Sequence, residues 1–334
     1  MGIDTAPHRL YYENVDDRLG PAEKRFFGAG FRRSSHTIRR LRIGAGRIDA
    51  AATVRYPADW STKGEVDQLP HLSTVDVLVL GAQLAELQVA QAYGLDPGRR
   101  STMWLRRVRI RAGRAPLEDG LDDFPVTAVA AGTADDAVIA GFRVAIVDCQ
   151  VGPLSIRCEI EHPDSPAAGV PATFDTVEEA LGDPADRFYG AGFRGYRAGV
   201  EQVEVIPGAR RATAVARVTA QVRPPGAGLD GFRQPSISTI DCFTVGLQLG
   251  QILLYELDGI DRARSQTLWM RHTWLETAAP QPCTPGPIPV SAELENVRLL
   301  ERTADDRWRT ADIVATMAGV TMRCSVAHRL AEAG

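Results

Sequence analysis

The sequence is almost without lysine. Lys24 and Lys63 are the only two, and arginine supplies the rest of the positive charge. Arginine stays charged at any pH a protein meets and suits phosphate and carboxylate groups. The formal net charge is −4, which gives no general pull toward nucleic acid or an anionic membrane surface. Cysteine is scarce too. Cys149, Cys158, Cys242, Cys283 and Cys324 are odd in number and form no Cys-x-x-Cys pair. They read as buried structural thiols in a reducing compartment. No His, Cys and Asp spacing resembles a metal site, and neither a metal nor a redox cofactor is expected. Met1-Gly-Ile-Asp-Thr-Ala-Pro-His8 has no basic segment leading into an apolar one. The expectation is therefore a cytoplasmic chain without signal peptide or membrane anchor. The apolar runs fall short of the roughly 20 residues that span a bilayer.

What is present is ordinary globular composition, 44% hydrophobic and 24% charged over 334 residues, enough for two domains or two halves of one. An internal repeat decides between them. Arg25-Phe-Phe-Gly-Ala-Gly-Phe-Arg32 returns as Arg187-Phe-Tyr-Gly-Ala-Gly-Phe-Arg194, an offset of 162. Val15-Asp-Asp-Arg-Leu-Gly20 returns as Val177-Glu-Glu-Ala-Leu-Gly182 at the same offset. Thr102-Met-Trp-Leu-Arg106 matches Thr267-Leu-Trp-Met-Arg271 at offset 165, and Arg157-Cys158 matches Arg323-Cys324 at 166. The expectation is one duplicated unit, spanning residues 10–165 and 172–330. The Pro-, Ala- and Asp-rich stretch 162–176 reads as the surface link between them.

The chain is organised around Pro70-His71-Leu72-Ser73-Thr74-Val75-Asp76 and its counterpart Pro235-Ser236-Ile237-Ser238-Thr239-Ile240-Asp241. Each Ser-Thr-x-Asp opens an apolar run and reads as a capped helix start. The runs are apolar on nearly every side, so each helix of about 13 to 17 residues is expected to be wrapped by other structure. Around each lie about six alternating or β-branched runs, in the first copy 36–43, 47–56, 102–111, 125–131, 137–149 and 153–162. One wrapped helix and an antiparallel sheet make an α+β hotdog domain; two copies make a double hotdog. That fold sets its helices side by side, with pockets between the halves near the helix N-termini.

A helix N-terminus offers free N–H groups and partial positive charge, fit to polarise a thioester carbonyl. Asp76 and Asp241 stand in that first turn. Either they complete the caps with Ser73, Thr74, Ser238 and Thr239, or one is a general acid/base and its neighbours bind substrate. Gln83 and Gln248 lie two turns further on the same face; each amide needs a partner, in the other half or on substrate. His71 has Ser236 as counterpart, so the two pockets differ, and a His before one helix could pair with an Asp from the other half. His36, His162, His272 and His328 fall in strand-like runs, with His162 and His328 at equivalent strand ends suited to packing. The Gly-Ala-Gly blocks read as tight turns; their flanking Arg25, Arg32, Arg187 and Arg194 are alternative phosphate or carboxylate receivers. Gly-Ala-Gly is not followed by a helix in βαβ context, so it is not a dinucleotide fingerprint. Trp104 and Trp269 read as core, while Arg106 or Arg271 could reach a pocket mouth.

The Val15-Asp-Asp-Arg-Leu-Gly-Pro and Arg25-Phe-Phe-Gly-Ala-Gly-Phe-Arg blocks, together with the Ser-Thr-x-Asp helix starts, resemble the AvrD (avirulence protein D) family over residues 10 to 330. The resemblance implies synthesis of syringolide-type acyl-glycoside or butenolide signals, in which a β-ketoacyl chain is joined to a ketosugar. It also implies kinship with A-factor-type butyrolactone synthases, another double-hotdog group. Hotdog dehydratases resemble a different pattern, with Glu four residues before Gln; here Val79 and Thr244 hold that place.

The expected function is therefore transfer of a β-ketoacyl group from CoA or acyl carrier protein to a small sugar or polyol, without metal or cofactor. Asp76 or Asp241, with His71, would take the hydroxyl proton. A dehydratase or thioesterase using the same pocket is the alternative, and a non-catalytic acyl-ligand binder is a third. The tandem copy supplies the usual dimer internally, so a monomer is expected.

Overall fold

Each Ser-Thr-x-Asp start becomes a capped helix. The computed structural model describes residues 8–63, 66–167, 169–220, 224–265, 267–279, 286–303 and 306–330, and Cys283 lies outside them. The first central helix is Thr74–Ala92 and the second Thr239–Asp258. At 19 and 20 residues both are longer than the pattern suggested, because Gln88 in the first and Gln251 and Glu256 in the second break the apolar run without breaking the helix. Among the described residues no helix is long and apolar enough to cross a membrane. Ser73 and Ser238 are the N-caps, and each closes a reciprocal box with the Asp three residues on. Such a box contributes on the order of 1 kcal/mol.

The strands are β1 (Leu10–Asn14), β2 (Ser35–Gly44), β3 (Arg47–Arg55), β4 (Thr62–Lys63), β5 (Val66–Asp67), β6 (Trp104–Arg111), β7 (Phe124–Ala134), β8 (Phe142–Val151), β9 (Leu154–Pro163) and β10 (Ala172–Thr176). They continue as β11 (Tyr196–Ile206), β12 (Arg211–Ala220), β13 (Trp269–Thr277), β14 (Ile288–Thr303), β15 (Asp306–Met317) and β16 (Val320–Arg329). Fourteen of them form one antiparallel sheet in the order β1-β11-β12-β14-β15-β16-β13-β6-β9-β8-β7-β3-β2-β10. The first central helix packs on β3 and β6 to β9, the second on β11 to β16. Each helix is thus enclosed by antiparallel sheet, the hotdog arrangement the sequence predicts. Close packing explains the helix glycines: a Cβ at Gly81 would lie 2.6 Å from Ile156, and one at Gly246 2.8 Å from Ala315. The two strand sets meet at β6 and β13, where Trp274 lies opposite Arg109.

The two strand sets share an irregularity. β2 and β11 carry a register shift at equivalent places, between Arg39 and Arg42 and between Glu201 and Glu204. Arg40 and Gln202 sit there with φ of 56° and 53°. Two findings depart from the sequence reading. The stretch 162–176 is not all surface link: its end, β10, pairs with β2, as β1 pairs with β11. These short edge strands alternate in burial but are too brief to stand out. The run 137–149 begins as a turn, with Gly141 at φ 80°, and only Phe142 onward is strand.

Candidate active site

Local sequence fixes the scaffold of the site. In the Arg-Phe-x-Gly-Ala-Gly-Phe-Arg blocks, a Cβ at Gly28 would sit 2.4 Å from the Ala22 carbonyl oxygen, and one at Gly190 2.5 Å from that of Pro184. Only glycine lets the chain fold back so closely. The two blocks meet each other, with Phe31 stacked on Phe193 at 6.3 Å. Each then sends its first arginine to the opposite helix. Arg25 Nη1 donates to Gln248 Oε1 at 2.6 Å, and Arg187 Nη1 to Gln83 Oε1 at 3.2 Å. Arg25 also pairs with Asp16. The partners the glutamines require are therefore arginines of the other half. Burial lowers the pKa of both guanidiniums, with Asp16 and Glu86 respectively pulling the other way.

The helix starts differ sharply. Asp76 is wholly buried. Its Oδ2 accepts from the Ser73 amide at 2.9 Å, from the Ser73 hydroxyl and from the Tyr56 hydroxyl. Its Oδ1 lies 2.7 Å from His36 Nε2. Burial pushes this carboxyl up, but the bonds from His36, Ser73 and Tyr56 prevail and hold it below its ordinary range. Arg194 of the other half reaches His36 Nδ1 at 3.4 Å. The Tyr56 hydroxyl oxygen also lies 2.8 Å from the His71 carbonyl oxygen, beside the helix start. At the second helix, Asp241 accepts from the Ser238 amide at 3.0 Å and hydroxyl at 2.6 Å. There burial prevails over Ser238 and the Arg32 charge, and the carboxyl is raised. Counted from the shared register shift, the position equivalent to His36 is Ala198, and the one equivalent to Tyr56 is Ala220.

A cavity of about 210 Å³ opens at the start of the first central helix, where Ser73, Thr74 and His71 form part of its wall. Phe26, Phe27, Trp60, Leu72 and Met270 supply apolar wall. Arg25, Lys63, Arg262 and Arg271 supply positive charge. Arg271 also borders an open depression formed by 112–117 and Pro153. His71 stacks edge-on against Trp60 at 5.4 Å.

Several predicted residues lie elsewhere. Asp76, Asp241, Gln83, Gln248, Arg187, Ser238 and Thr239 are buried and are not on this cavity's wall. Arg106 is held by Asp136 at 3.0 Å and Glu161 at 3.6 Å, away from the mouth. His71 is not the partner of an Asp from the other half; the histidine on Asp76 is His36, whose strand-like setting pointed to no chemistry. His162 packs on Tyr93 at 4.2 Å and His328 meets Asp258 at 3.0 Å. Cys149, Cys158, Cys242 and Cys324 are free and buried, and burial raises every one of these thiols. Among the described residues no group of three or more His, Cys, Asp or Glu is placed to hold a metal ion. Lys63, at the end of β4, and Arg262, in a short 3-10 turn, were not candidate site residues in the sequence, since both lie outside the repeat blocks.

Fold and site define a hotdog-type protein with a mixed apolar and cationic cavity at a helix start. The chain belongs to the AvrD family: the family model described as Pseudomonas avirulence D protein (AvrD) matches residues 10–331. No curated protein matches it in sequence. Among solved structures, it is similar to a tesB protein of Mycobacterium avium subs paratuberculosis, at 10% identity and TM-score 0.40, covering 87% of this chain and 96% of that one. It is similar to the pyran synthase domain from module nine of the sorangicin pathway, at 15% identity and TM-score 0.40, covering 88% and 97%. An acyl-CoA thioesterase II from Mycobacterium marinum aligns at 9% identity and TM-score 0.33, over 77% and 91%. Likenesses this distant say nothing about substrate or reaction.

Proposed function

We propose that this chain is two hotdog units, 10–165 and 172–330, and that it transfers a β-ketoacyl group from a thioester to a small sugar or polyol in the cavity at Ser73 and Thr74. The observation that carries this reading is the composition of that cavity: apolar side chains, a helix start and four cations in one space. The acyl chain lies along Phe26, Phe27, Leu72 and Met270. The thioester carbonyl points at the first N–H groups of the helix, which have no intrahelical partner and stabilise the oxyanion. His71 takes the proton of the attacking hydroxyl. The C–O bond forms, the thiolate leaves, and an ester results. Arg271 at the mouth and Arg262 within hold phosphate of the carrier or acceptor. Asp76 is a positioning residue behind Ser73, since it is buried and held ionised, which makes it a weak base.

The test is mass spectrometry after incubating the pure protein with a β-ketoacyl thioester and a panel of ketosugars. A new acyl-sugar mass supports the reading and identifies the acceptor. Loss of water from the chain, or free acid alone, replaces it with a dehydratase or thioesterase. Unchanged thioester that co-elutes with the protein replaces it with a binding protein.

A further inference from the structure

We propose that the amine of Lys63 forms an imine with the ketone carbon of a substrate held in this cavity; the proposal rests on the keto-substrate reading above. Lys63 ends the short strand β4, which pairs with β5. Its side chain lines the cavity together with His71, Arg262 and the helix start. Nζ lies 3.3 Å from the carbonyl oxygen of Ser265, in the other half.

Residue choice is the first argument. This chain uses arginine for positive charge nearly everywhere, and the other lysine, Lys24, is exposed. A position that needed only charge toward a phosphate would be served by arginine, as at Arg262 and Arg271. Lysine differs in one capacity that matters here: it can give up its proton and present a lone pair. Environment is the second argument. Burial, and then the Arg262 charge, lower this amine to about 8. Desolvation and a neighbouring cation are the two means by which proteins make lysine nucleophilic. Roughly a tenth of it is then neutral at pH 7, far more than of an ordinary surface lysine.

The chemistry balances without an added reagent. The Nζ lone pair attacks the ketone carbon and the C–O π electrons move to oxygen. The carbinolamine takes up a proton and loses water, leaving C=N. The CH₂ between the imine and acyl carbons is then acidic, and loss of its proton to His71 gives an enamine. That carbon attacks the ketone of a sugar bound beside it: the C–C bond forms as the C=O π electrons move to oxygen, that oxygen takes the proton back from His71, and the enamine returns to the imine. Water hydrolyses the imine and restores Lys63. One cavity could thus both join the two substrates and close a ring between them.

The probe is 2,4-pentanedione on the full chain, followed by intact-mass measurement and peptide mapping. It condenses with a neutral amine and releases one water, giving a stable vinylogous amide. With two lysines in the sequence, Lys24 serves as internal reference. The expected result is adduct at Lys63 at least ten-fold faster than at Lys24, with a rate that levels off above about pH 8. Lys63→Arg, which keeps the charge, abolishes the adduct. Equal labelling of both lysines, or an unchanged adduct in Lys63→Arg, overturns the proposal. The wild-type labelling needs no variant to fold. It also needs no thioester: Lys63 adduct without acyl-sugar product sinks only the condensing reading, and acyl-sugar product without Lys63 adduct sinks only the imine.

Discussion

Asp76 and Asp241 occupy the same place in two helices built to one plan, with the same serine cap and the same buried first turn. Their electrostatic states nevertheless diverge. His36 and Tyr56 supply hydrogen bonds that outweigh burial at Asp76; Ala198 and Ala220 supply none at Asp241. One carboxyl is held ionised and the other is pushed toward its neutral form. Shared sequence fixes the cap, while the unshared residues on the facing strands decide the charge. The cavity lies at the start where the charge is held, and His71, which helps wall it, has Ser236 as its counterpart.

The largest effect expected concerns that last pair. His71→Ala should lower turnover on the order of 10²- to 10⁴-fold with an unchanged melting curve, and Ser236→Ala should leave turnover intact. Equal losses in a steady-state assay would mean that both helix starts work. Next come the carboxylates themselves. Asp76→Asn strands His36 and Tyr56 in the interior and should cost about 3 kcal/mol in urea unfolding. Asp241→Asn, replacing the carboxyl by a comparable cap and stranding no histidine or tyrosine, should cost under about 1 kcal/mol. Matching costs would abolish the asymmetry. A finer cut is Tyr56→Phe, which removes one of the bonds on Asp76 Oδ2 and should cost about 1–2 kcal/mol.

The smallest effect is in pH dependence. Asp76 is depressed in the folded state, so its contribution is present above the unfolded value of about 3.9 and is lost as pH falls through the folded pKa. Asp241 is raised; its contribution is present below the unfolded value and is lost as pH rises through the folded pKa. Unfolding measured from pH 3 to 7 should therefore show Asp76→Asn losing ground to wild type as pH rises. Asp241→Asn should gain ground over the same range. Two variants with the same slope would show that the carboxyls titrate alike.

Much of this frame was legible in the sequence. The caps and the apolar runs have local signatures, and each became the expected helix. The glycine pairs read as turns because backbone crowding leaves a local mark. The Gln83–Arg187 and Gln248–Arg25 braces were half legible: a buried amide announces a need for a partner but not which one. His36 was missed because a histidine in an alternating strand has no local mark of its contact forty residues on. The signal that could have found it is the reverse of a repeat. Asking where the copies differ sets His36 against Ala198, beside blocks that otherwise agree. Lys63 escaped for a different reason, since it lies outside the repeat blocks and has no register to compare.

The exchange of β1 and β10 between the strand sets bears on how the chain is made. A ribosome delivers β2 and its neighbours well before Ala172–Thr176 emerges, leaving the outer edge of β2 bare during synthesis. Bare edges invite pairing with other chains. The native cover for that edge comes from beyond the link, just as β1 waits for β11. A gene cut at the link would give two fragments, each carrying the other's missing border, and each therefore built to rejoin its complement when both are made in one cell.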